Sequence, residues 1–365
     1  MLKDSQMHPV SADLADASTL HKSCYTDLSI YEHEKEKIFW NSWQCVGRVE
    51  QLAKKGDFLA TDVVGEPIVL MRDQDDRLDI FSNVCRHRAT VMAKGHGNFN
   101  CLKCPYHGWT YSLAGDLKNA PEFDGAKNWN PYDVSLPKYL VEAWGPFLFG
   151  HLGNGHPALS EMLGNIPAEV ERKGYNLTKY KFLTRREFVI PCNWKVYVDN
   201  YLEGYHLPLV HPGLFRELEY KEYHTDTFGY HSSQVAPLRR NASKNGRRYV
   251  PGPGIREPLY YWMFPNFMLN IYHDNVNYNL IVPLSVDKTL TIFEWLVPEE
   301  QYVEDLGHIE ETIAFTEEIQ KEDIAICERV QQGLQSRSYS RGRFSVKREN
   351  GVHHFHRTWQ AYLQH

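Results

Sequence analysis

Two short cysteine–histidine pairs constrain what this chain can fold into more than any other feature of its sequence. The first pair is Cys85-x-His87 and the second is Cys104-x2-His107, with 16 residues between His87 and Cys104. Each pair offers one thiolate and one imidazole, both of which bind zinc and iron. The fold is therefore expected to bring two loops together around a metal centre. Glycines that suit tight loops lie nearby, at Gly95, Gly97, Gly108 and Gly115.

Two kinds of metal centre use such ligands. In a Rieske-type [2Fe–2S] cluster, two cysteines hold one iron and two histidines hold the other. Zinc is the alternative, with Cys101-x2-Cys104 as the competing spacing. A zinc site would also need a second Cys-x-x-Cys or a His-x3-His, and neither lies nearby. The pattern favours the iron–sulfur cluster, with Cys85, His87, Cys104 and His107 as its ligands.

The first half of the chain predicts a helix followed by a small β domain. Asp27 is a suitable N-cap for a helix over 27–43. From 44 to 155 short β runs follow one another without a long helix. Residues 66–72 and 77–81 read as a hairpin around an acidic turn.

The second half, after a candidate linker at 153–157, mixes helices and strands. Helices are predicted over 193–207 and 308–334, and strands over 259–298 with a break at 285–288. Residues 238–256 are rich in Arg, Asn and Gly and predict a mobile surface loop. The expected class is α+β, in three parts: an N-terminal helical segment at 1–43 that packs on the catalytic domain, the β domain at 44–155 and the catalytic domain at 156–365.

Composition excludes several other classes of protein. Lys and Arg number 40 against 46 Asp and Glu, a net charge of -6, which argues against a nucleic-acid binder. No apolar run approaches the ~18 residues of a membrane span. Seven cysteines are too few for a disulfide scaffold. Residues 1–6 lack the apolar core of a signal peptide, so a cytoplasmic protein is expected.

A second constellation follows in the C-terminal half. Asp199, Glu203 and His206 fall on one face of the predicted helix, and Pro208 ends that helix so that His211 can turn back toward His206. Two imidazoles and one carboxylate form the facial triad of non-haem Fe(II) oxygenases.

The carboxylate of such a triad has to come from another segment. Asp323 is the best candidate, because it lies in line with the apolar stripe of Ile319 and Ile326, where an unpaired acid is costly to bury. Glu322 lies one position off that stripe and is expected to be solvated. Taken singly, each of these residues would pass for an ordinary surface or core residue. Their occurrence after the first motif favours a second metal site.

In this order the two motifs resemble the catalytic α subunit of Rieske non-haem iron oxygenases, over nearly the whole chain. The run Tyr106-His107-Gly108-Trp109 belongs to that resemblance. Residues 342–344 and 353–356 look like the end of the choline monooxygenase branch. Ala89 is one departure, since the family usually has Gly there.

The resemblance implies a Rieske domain beside a catalytic domain with a curved antiparallel sheet covered by helices. It implies His206, His211 and Asp323 as ligands of a mononuclear iron, and Glu203 as the acidic bridge between cluster and iron. Asn200 and Tyr205 are further candidate catalytic residues on the same segment. Glu at position 203, where ring-hydroxylating dioxygenases usually carry Asp, is similar to carnitine- and betaine-type oxygenases.

The function so implied is that of a terminal oxygenase. It would use O2, and electrons passed from NAD(P)H by a separate flavin or iron–sulfur reductase, to hydroxylate or N-demethylate a small quaternary ammonium compound such as choline, carnitine or a betaine. The family also implies a homotrimer with head-to-tail electron transfer. Candidates for an aromatic cage around the ammonium group are Tyr205, Tyr260, Tyr261, Trp262, Phe264, Phe267 and Tyr272.

Two alternatives remain open at this point. One is hydroxylation of an aromatic ring or aromatic acid by the same iron. The other is a Rieske electron carrier without chemistry of its own, for which the domain at 44–155 would suffice.

Overall fold

The computed structural model describes residues 9–239, 258–300 and 307–364. Of these, the residues up to Ile38 and from Ser160 onward form one compact unit, and Phe39–Leu159 form the other. The domain boundaries predicted after residues 43 and 155 stay predictions. None of the described helices is long and apolar enough to cross a membrane.

The unit of residues 39–159 is built from antiparallel strands. Seven form a sheet in the order β1-β10-β9-β4-β3-β2-β5, and three form a smaller sheet in the order β6-β7-β8. The predicted hairpin is confirmed by the pairing of β3 with β4. The strands are β1 Gln44–Arg48, β2 Asp57–Val63, β3 Glu66–Arg72, β4 Leu78–Ser82, β5 His96–Asn98, β6 Leu102–Lys103, β7 Thr110–Tyr111, β8 Leu117–Asn119, β9 Lys138–Trp144 and β10 Phe147–His151.

Two apolar clusters stabilise this β unit. One contains Val46, Leu70 and Ile80 from the larger sheet. The other includes Trp109 and Tyr111, together with both cysteines of the first motif. The cysteines are thus fixed by the core of the unit.

The other unit is centred on a seven-stranded antiparallel sheet in the order β11-β17-β16-β15-β14-β13-β12. The predicted break at 285–288 is confirmed, because β16 ends at Ser285 and β17 begins at Lys288. The strands are β11 Tyr180–Ile190, β12 His224–Thr227, β13 His231–Val235, β14 Leu259–Met263, β15 Phe267–Ile271, β16 Val276–Ser285 and β17 Lys288–Pro298.

Helices cover this sheet, so that a central strand such as β15 is buried along its whole length. The helices are α1 Ser23–Thr26, α2 Leu28–Glu34, α3 Leu159–Leu163, α4 Ile166–Arg172, α5 Trp194–Tyr201, α6 Leu207–Val210, α7 Pro212–Glu217, α8 Gly307–Leu334 and α9 Asn350–Gln364. The predicted fold, a β domain plus an antiparallel sheet covered by helices, is confirmed. The predicted loop at 238–256 lies, beyond Arg239, outside the described residues.

Two predicted helices are shorter than expected. Asp27 does cap α2 by accepting from the Ser29 N–H, but α2 ends at Glu34 and continues as a π-helical turn to Phe39. The helix predicted over 193–207 ends at Tyr201. The chain turns at Gly204, where a Cβ would lie 2.6 Å from the Tyr223 ring. Glu203 and His206 therefore do not continue the face of that helix, contrary to the prediction.

Candidate functional site

Cys85 and Cys104 lie in two loops with the same hydrogen-bond pattern. In each loop the cysteine N–H donates to the carbonyl of the fifth residue on, Thr90 (2.9 Å) or Trp109 (2.7 Å). The cysteine carbonyl accepts from the N–H of the fourth residue on, at 3.0 and 3.1 Å. Both cysteines are 2% exposed. Two similar loops thus present two buried thiols.

The histidines of the motif lie beside each other. The rings of His87 and His107 are 4.7 Å apart, and His87 stacks on Trp109 at 4.9 Å. The buried Nδ1 of His87 has no hydrogen-bond partner among the described residues. Burial, and to a smaller extent the neighbouring Cys104 thiol, raise the pKa of Cys85. Two thiols, two imidazoles and an unpaired buried nitrogen fit the ligand set of a Rieske cluster.

Cys101 is the residue that would support the zinc alternative. It comes just before strand β6, whereas Cys104 comes just after it, and Cys101 is exposed. Its neighbour Cys104 is buried with Cys85 in the same apolar cluster. The structure therefore brings Cys104 together with Cys85, and not with Cys101.

The second constellation also comes together. His206 lies at the N-terminus of α6, and His211 joins α6 to α7. The His211 Nε2 is 2.9 Å from Asp323 Oδ1, and the His206 Nε2 is 3.9 Å from the same oxygen. One ligand atom from each of the three residues lies within 4.8 Å of the others. This donor set fits a 2-His-1-carboxylate iron site.

Each imidazole has a carboxylate behind it. Glu203 Oε1 lies 2.5 Å from the His206 Nδ1, and Glu322 Oε2 lies 2.7 Å from the His211 Nδ1. Such partners fix the ring orientation and tautomer of metal-binding histidines, leaving Nε2 to the metal. Glu322 is 32% exposed, so it is partly solvated as predicted, but its contact with His211 was not predicted.

The two histidines of this site are surrounded by three carboxylates, those of Glu203, Glu322 and Asp323. Burial lowers the pKa of His211, but Asp323 and Glu322 outweigh it, so the pKa is raised. Two carboxylates that face one imidazole form a site at which a divalent cation would balance the negative charge.

The two further catalytic candidates differ in their placement. Asn200 Nδ2 donates to Asp323 Oδ1 at 2.6 Å and so orients that carboxylate. The side chain of Tyr205 is 59% exposed, and Tyr205 is not among the residues that line the cavity next to the centre. The structure therefore brings Asn200, but not Tyr205, to the site.

A cavity of about 820 Å³, counted out to its opening, lies beside His206, His211 and Asp323. Of the seven predicted cage residues only Tyr260 and Tyr272 line it. Tyr261, Trp262, Phe264 and Phe267 are core residues, at most 3% exposed. The pattern missed other lining aromatic residues because they lie on segments far apart in sequence. These are Tyr197, Tyr201, Tyr223 and Phe293.

Four asparagines and two glutamines also line this cavity. Asn270 Nδ2 donates to Asn279 Oδ1 at 2.9 Å and to Asn277 Oδ1 at 3.2 Å. The Tyr201 hydroxyl donates to Asn270 Oδ1 at 2.7 Å. These side chains satisfy one another, so they form a fixed wall.

Models of two protein families match the chain in the order of the two motifs. The Rieske [2Fe-2S] domain matches residues 42–133, and the catalytic domain of the ring hydroxylating alpha subunit matches residues 176–365. This chain is a Rieske non-haem iron oxygenase. Its cofactors are a [2Fe–2S] cluster and a mononuclear iron, and a reductase and a small-molecule substrate are its partners. The electron-carrier alternative leaves the catalytic domain unexplained.

Curated relatives resemble this oxygenase along most of its length. Choline monooxygenase of Arabidopsis thaliana, a chloroplast protein, is 34% identical over 94% of this chain and 82% of the relative. The carnitine monooxygenase oxygenase subunit of Acinetobacter baumannii is 30% identical over 95% of both chains.

Solved structures show the same fold. A quaternary ammonium Rieske monooxygenase studied for carnitine oxidation and inter-subunit electron transfer superposes with a TM-score of 0.88 at 28% identity, over 98% of this chain and 100% of the other. Naphthalene 1,2-dioxygenase superposes with a TM-score of 0.77 over 98% and 94% of the chains, at 17% identity, and shares the fold alone.

Proposed function

We propose that this oxygenase hydroxylates or oxidatively N-demethylates a small quaternary ammonium compound of the choline, carnitine or betaine type. The observation that carries the proposal is the lining of the cavity beside Asp323. Five tyrosines and one phenylalanine line it, and its ionisable acids are Glu203 and Asp323. Among the described lining residues there is no Lys or Arg. Aromatic faces and carboxylates attract an ammonium group that has no proton to donate.

Relatives and neighbours support the same substrate class. The similar proteins named above act on choline and carnitine, and one solved neighbour holds L-carnitine as substrate. The ring-hydroxylation alternative has only the shared fold with naphthalene dioxygenase in its favour.

Within this proposal, His206, His211 and Asp323 hold the mononuclear iron, and Cys85, His87, Cys104 and His107 hold the cluster. When bound, the cluster supplies electrons and the iron activates dioxygen. The described side chains position both partners. Asn200, Glu203 and Glu322 orient the iron ligands. The tyrosines that line the cavity exclude water and hold the substrate methyl groups near the centre.

Glu203 takes the bridging role in this scheme, between the cluster of one subunit and the iron of the next in a head-to-tail homotrimer. Its contact with His206 and the inter-subunit electron transfer of the solved relative support this assignment. The cytoplasmic location stays a prediction, and the plant relatives are chloroplast proteins.

The test is a product screen by mass spectrometry. Iron-loaded enzyme, a surrogate reductase, NADH and labelled dioxygen are offered choline, carnitine, betaines and aromatic acids. The account predicts one labelled oxygen on an amine, or loss of a methyl group from it. Labelled oxygen on a ring would contradict it.

A matched pair of ligands isolates the charge. The uncharged carbon isostere of choline, 3,3-dimethylbutan-1-ol, has the same shape. We expect choline to bind at least tenfold more tightly than the isostere, a difference in binding free energy of about 1.4 kcal/mol. The reason is that the isostere lacks the cation–π attraction. Tyr272→Leu should reduce that preference, and Tyr272→Phe should keep most of it. Equal binding of both ligands would contradict the charge-based account.

A further inference from the structure

Helices α5 and α8 are joined by two hydrogen bonds that lie one helical turn apart on both helices. In one of them, Asn200 Nδ2 donates to Asp323 Oδ1 at 2.6 Å. In the other, the Tyr197 hydroxyl donates to Gln320 Oε1 at 2.5 Å. The two partners on each helix are three residues apart, and residues at this spacing lie on the same helix face. The two bonds are therefore successive links of one contact between the helices.

The Gln320 side chain also ties this contact to the sheet. Its Nε2 donates to the Thr291 Oγ1 of β17 at 3.0 Å. The Thr291 hydroxyl in turn donates to the carbonyl of Phe188 in β11 at 3.3 Å. Tyr197, Gln320 and Thr291 are all buried, so the loss of one bond leaves a buried polar group without its partner. The Gln320 amide is thus held at its oxygen by α5 and at its nitrogen by the sheet.

The rotation of α8 about its axis decides whether the second metal site can form. Asp323 Oδ1 lies 2.9 Å from the His211 Nε2, and Glu322 Oε2 lies 2.7 Å from the Nδ1 of the same ring. Adjacent residues of an α-helix point about 100° apart around the helix axis. Glu322 and Asp323 can therefore meet opposite sides of one imidazole only within a narrow range of rotation. Gln320, one turn earlier on the face of Asp323, is where the sheet and α5 hold that rotation.

We propose that Tyr197 and Gln320 are positioning residues of the iron site. They set the rotation of α8 and so hold the Asp323 carboxylate where His206 and His211 can share a metal ion with it. They act through the two helices and not by contact with the metal. This inference rests on the proposed function, because it takes these two histidines and Asp323 as the iron ligands.

The test is the Fe(II) affinity of Tyr197→Phe and Gln320→Met, measured by titration of the full-length, cluster-loaded protein. Phe keeps the ring and removes only the hydroxyl, whereas Met has nearly the length of Gln and forms neither bond. We expect each variant to bind Fe(II) about tenfold more weakly than the wild type. The double variant should lose little more affinity than either single variant, because both substitutions break the same link.

Tyr201→Phe is the matched control. Tyr201 lies on the same helix and lines the same cavity as Tyr197, but its hydroxyl donates to Asn270 Oδ1 of β15 at 2.7 Å. Each of the two Phe variants loses one buried hydrogen bond, so both should lower the unfolding free energy of the iron-free protein. Only Tyr197→Phe should weaken Fe(II) binding, and Tyr201→Phe should stay within twofold of the wild type. A merely structural role of Tyr197 would lower the stability alone.

A spectrum of the metal site gives a second readout that does not depend on turnover. The electron paramagnetic resonance of the Fe(II) site after addition of nitric oxide reports the arrangement of its ligands. It should change in Tyr197→Phe and match the wild type in Tyr201→Phe. A loss of Fe(II) affinity below threefold in Tyr197→Phe, or an equal loss in Tyr201→Phe, would overturn the proposal.

Failure of the proposed function would be visible separately. The product made by the wild type decides the substrate and does not affect the ratio of Fe(II) affinities. A wild type that binds no Fe(II) beside its cluster would overturn the ligand assignment, and the roles of Tyr197 and Gln320 with it.

Discussion

At the scale of single residues, Ala89 and Gly108 occupy the same position in the two cysteine loops. Each is the fourth residue after its cysteine, and each donates its N–H to that cysteine's carbonyl. Their φ angles are +53° and +76°, in the left-handed region. Glycine adopts this region readily, whereas a Cβ makes it costly by about 1 kcal/mol. The departure at Ala89 therefore changes the strain of one loop and keeps its shape.

Reciprocal substitutions test this account of the loops. We expect Ala89→Gly to stabilise the protein by about 0.5–1 kcal/mol and Gly108→Ala to destabilise it by about 1 kcal/mol. An added Cβ at Gly108 meets no atom closer than 3.4 Å, so the cost there comes from the backbone. Urea unfolding of the cluster-loaded protein measures both. Equal effects of the same sign would contradict the equivalence of the loops.

Glu322 leads to a second prediction at this scale. Its carboxylate holds the His211 Nδ1, so Glu322→Ala should weaken iron binding about 10–100-fold. Glu322→Gln keeps an acceptor and should lose less. Glu328→Ala, an exposed acid on the same helix, is the control. Iron affinity is measured by titration of the apo site with Fe(II), and equal affinities of Glu322→Ala and the control would contradict the role.

The sequence predicted the residues of the two motifs because their spacing is local. Cys85, His87, Cys104 and His107 share two short loops, and His206 and His211 share one turn. The role of Glu322 could not be predicted, since it depends on the rotation of α8 against a turn 111 residues away. The cage was mispredicted for a related reason: the tyrosines of β14 alternate between the cavity and the core.

At the scale of elements, the N-terminal helix α2 is joined to α5 by a buried ion pair. Lys195 Nζ lies 2.6 Å from Glu34 Oε1, and both side chains are fully buried. The Nε1 groups of Trp194 and Trp359 donate to the same carboxylate, at 2.9 and 2.6 Å. The Glu34 carboxylate thus accepts three hydrogen bonds, which offset part of the cost of burying the two charges.

Removing both members of this pair should cost less than the sum of the two single removals. We expect Glu34→Gln to destabilise the protein by about 3–5 kcal/mol, because Lys195 is left buried and unpaired. The double variant Glu34→Gln, Lys195→Met should lose less than the sum of the single losses. Glu32→Gln, which breaks an exposed pair with Lys35, should cost about 0.2–1 kcal/mol. Additive losses in urea unfolding would contradict the coupling.

The helix that ends early also illustrates what an element-level pattern can predict. The cap at Asn193 and the start of α5 follow from local sequence, since the Asn193 side chain accepts from the Lys195 N–H. The end at Tyr201 does not, because it depends on the packing of Gly204 against the Tyr223 ring, from a distant segment. Strand boundaries around 285–288 were predictable because the turn is local.

At the scale of the whole molecule, acid should destabilise the fold through buried histidine. Burial lowers the pKa of His231 to about 4. In the unfolded chain the pKa of this histidine is near 6.5. Between pH 6.5 and pH 4 the unfolded chain therefore binds a proton that the folded protein does not. The contribution to stability is complete above pH 6.5 and declines as the pH falls through this window.

The unfolding free energy at pH 7 and pH 5 measures this effect. The unfolding free energy should fall by about 2 kcal/mol less in His231→Gln than in the wild type when the pH is lowered from 7 to 5. His224 is exposed, so His224→Gln should lose as much unfolding free energy between pH 7 and pH 5 as the wild type does. If His231→Gln lost as much stability as the wild type on acidification, the buried neutral ring would not be its source.

The sheet that pairs β11 with β17 brings distant segments of the chain together. The strands over 259–298 were predicted from their alternating apolar pattern, whereas β11, β12 and β13 were not. The order of the strands requires tertiary contacts that no local pattern encodes. The same holds for the iron site, in which Asp323 meets His211 across 112 residues. The resemblance to a known family supplied what the pattern lacked.

The most direct test of the account is the iron content of the wild type and of His206→Ala, read together with the electron paramagnetic resonance of the reduced cluster. The account predicts three irons per chain in the wild type, two in the cluster and one at the second site. His206→Ala should hold two, with an unchanged cluster spectrum and no oxidised amine. Retention of the third iron, or loss of the cluster signal, in His206→Ala would contradict the assignment of two separate centres.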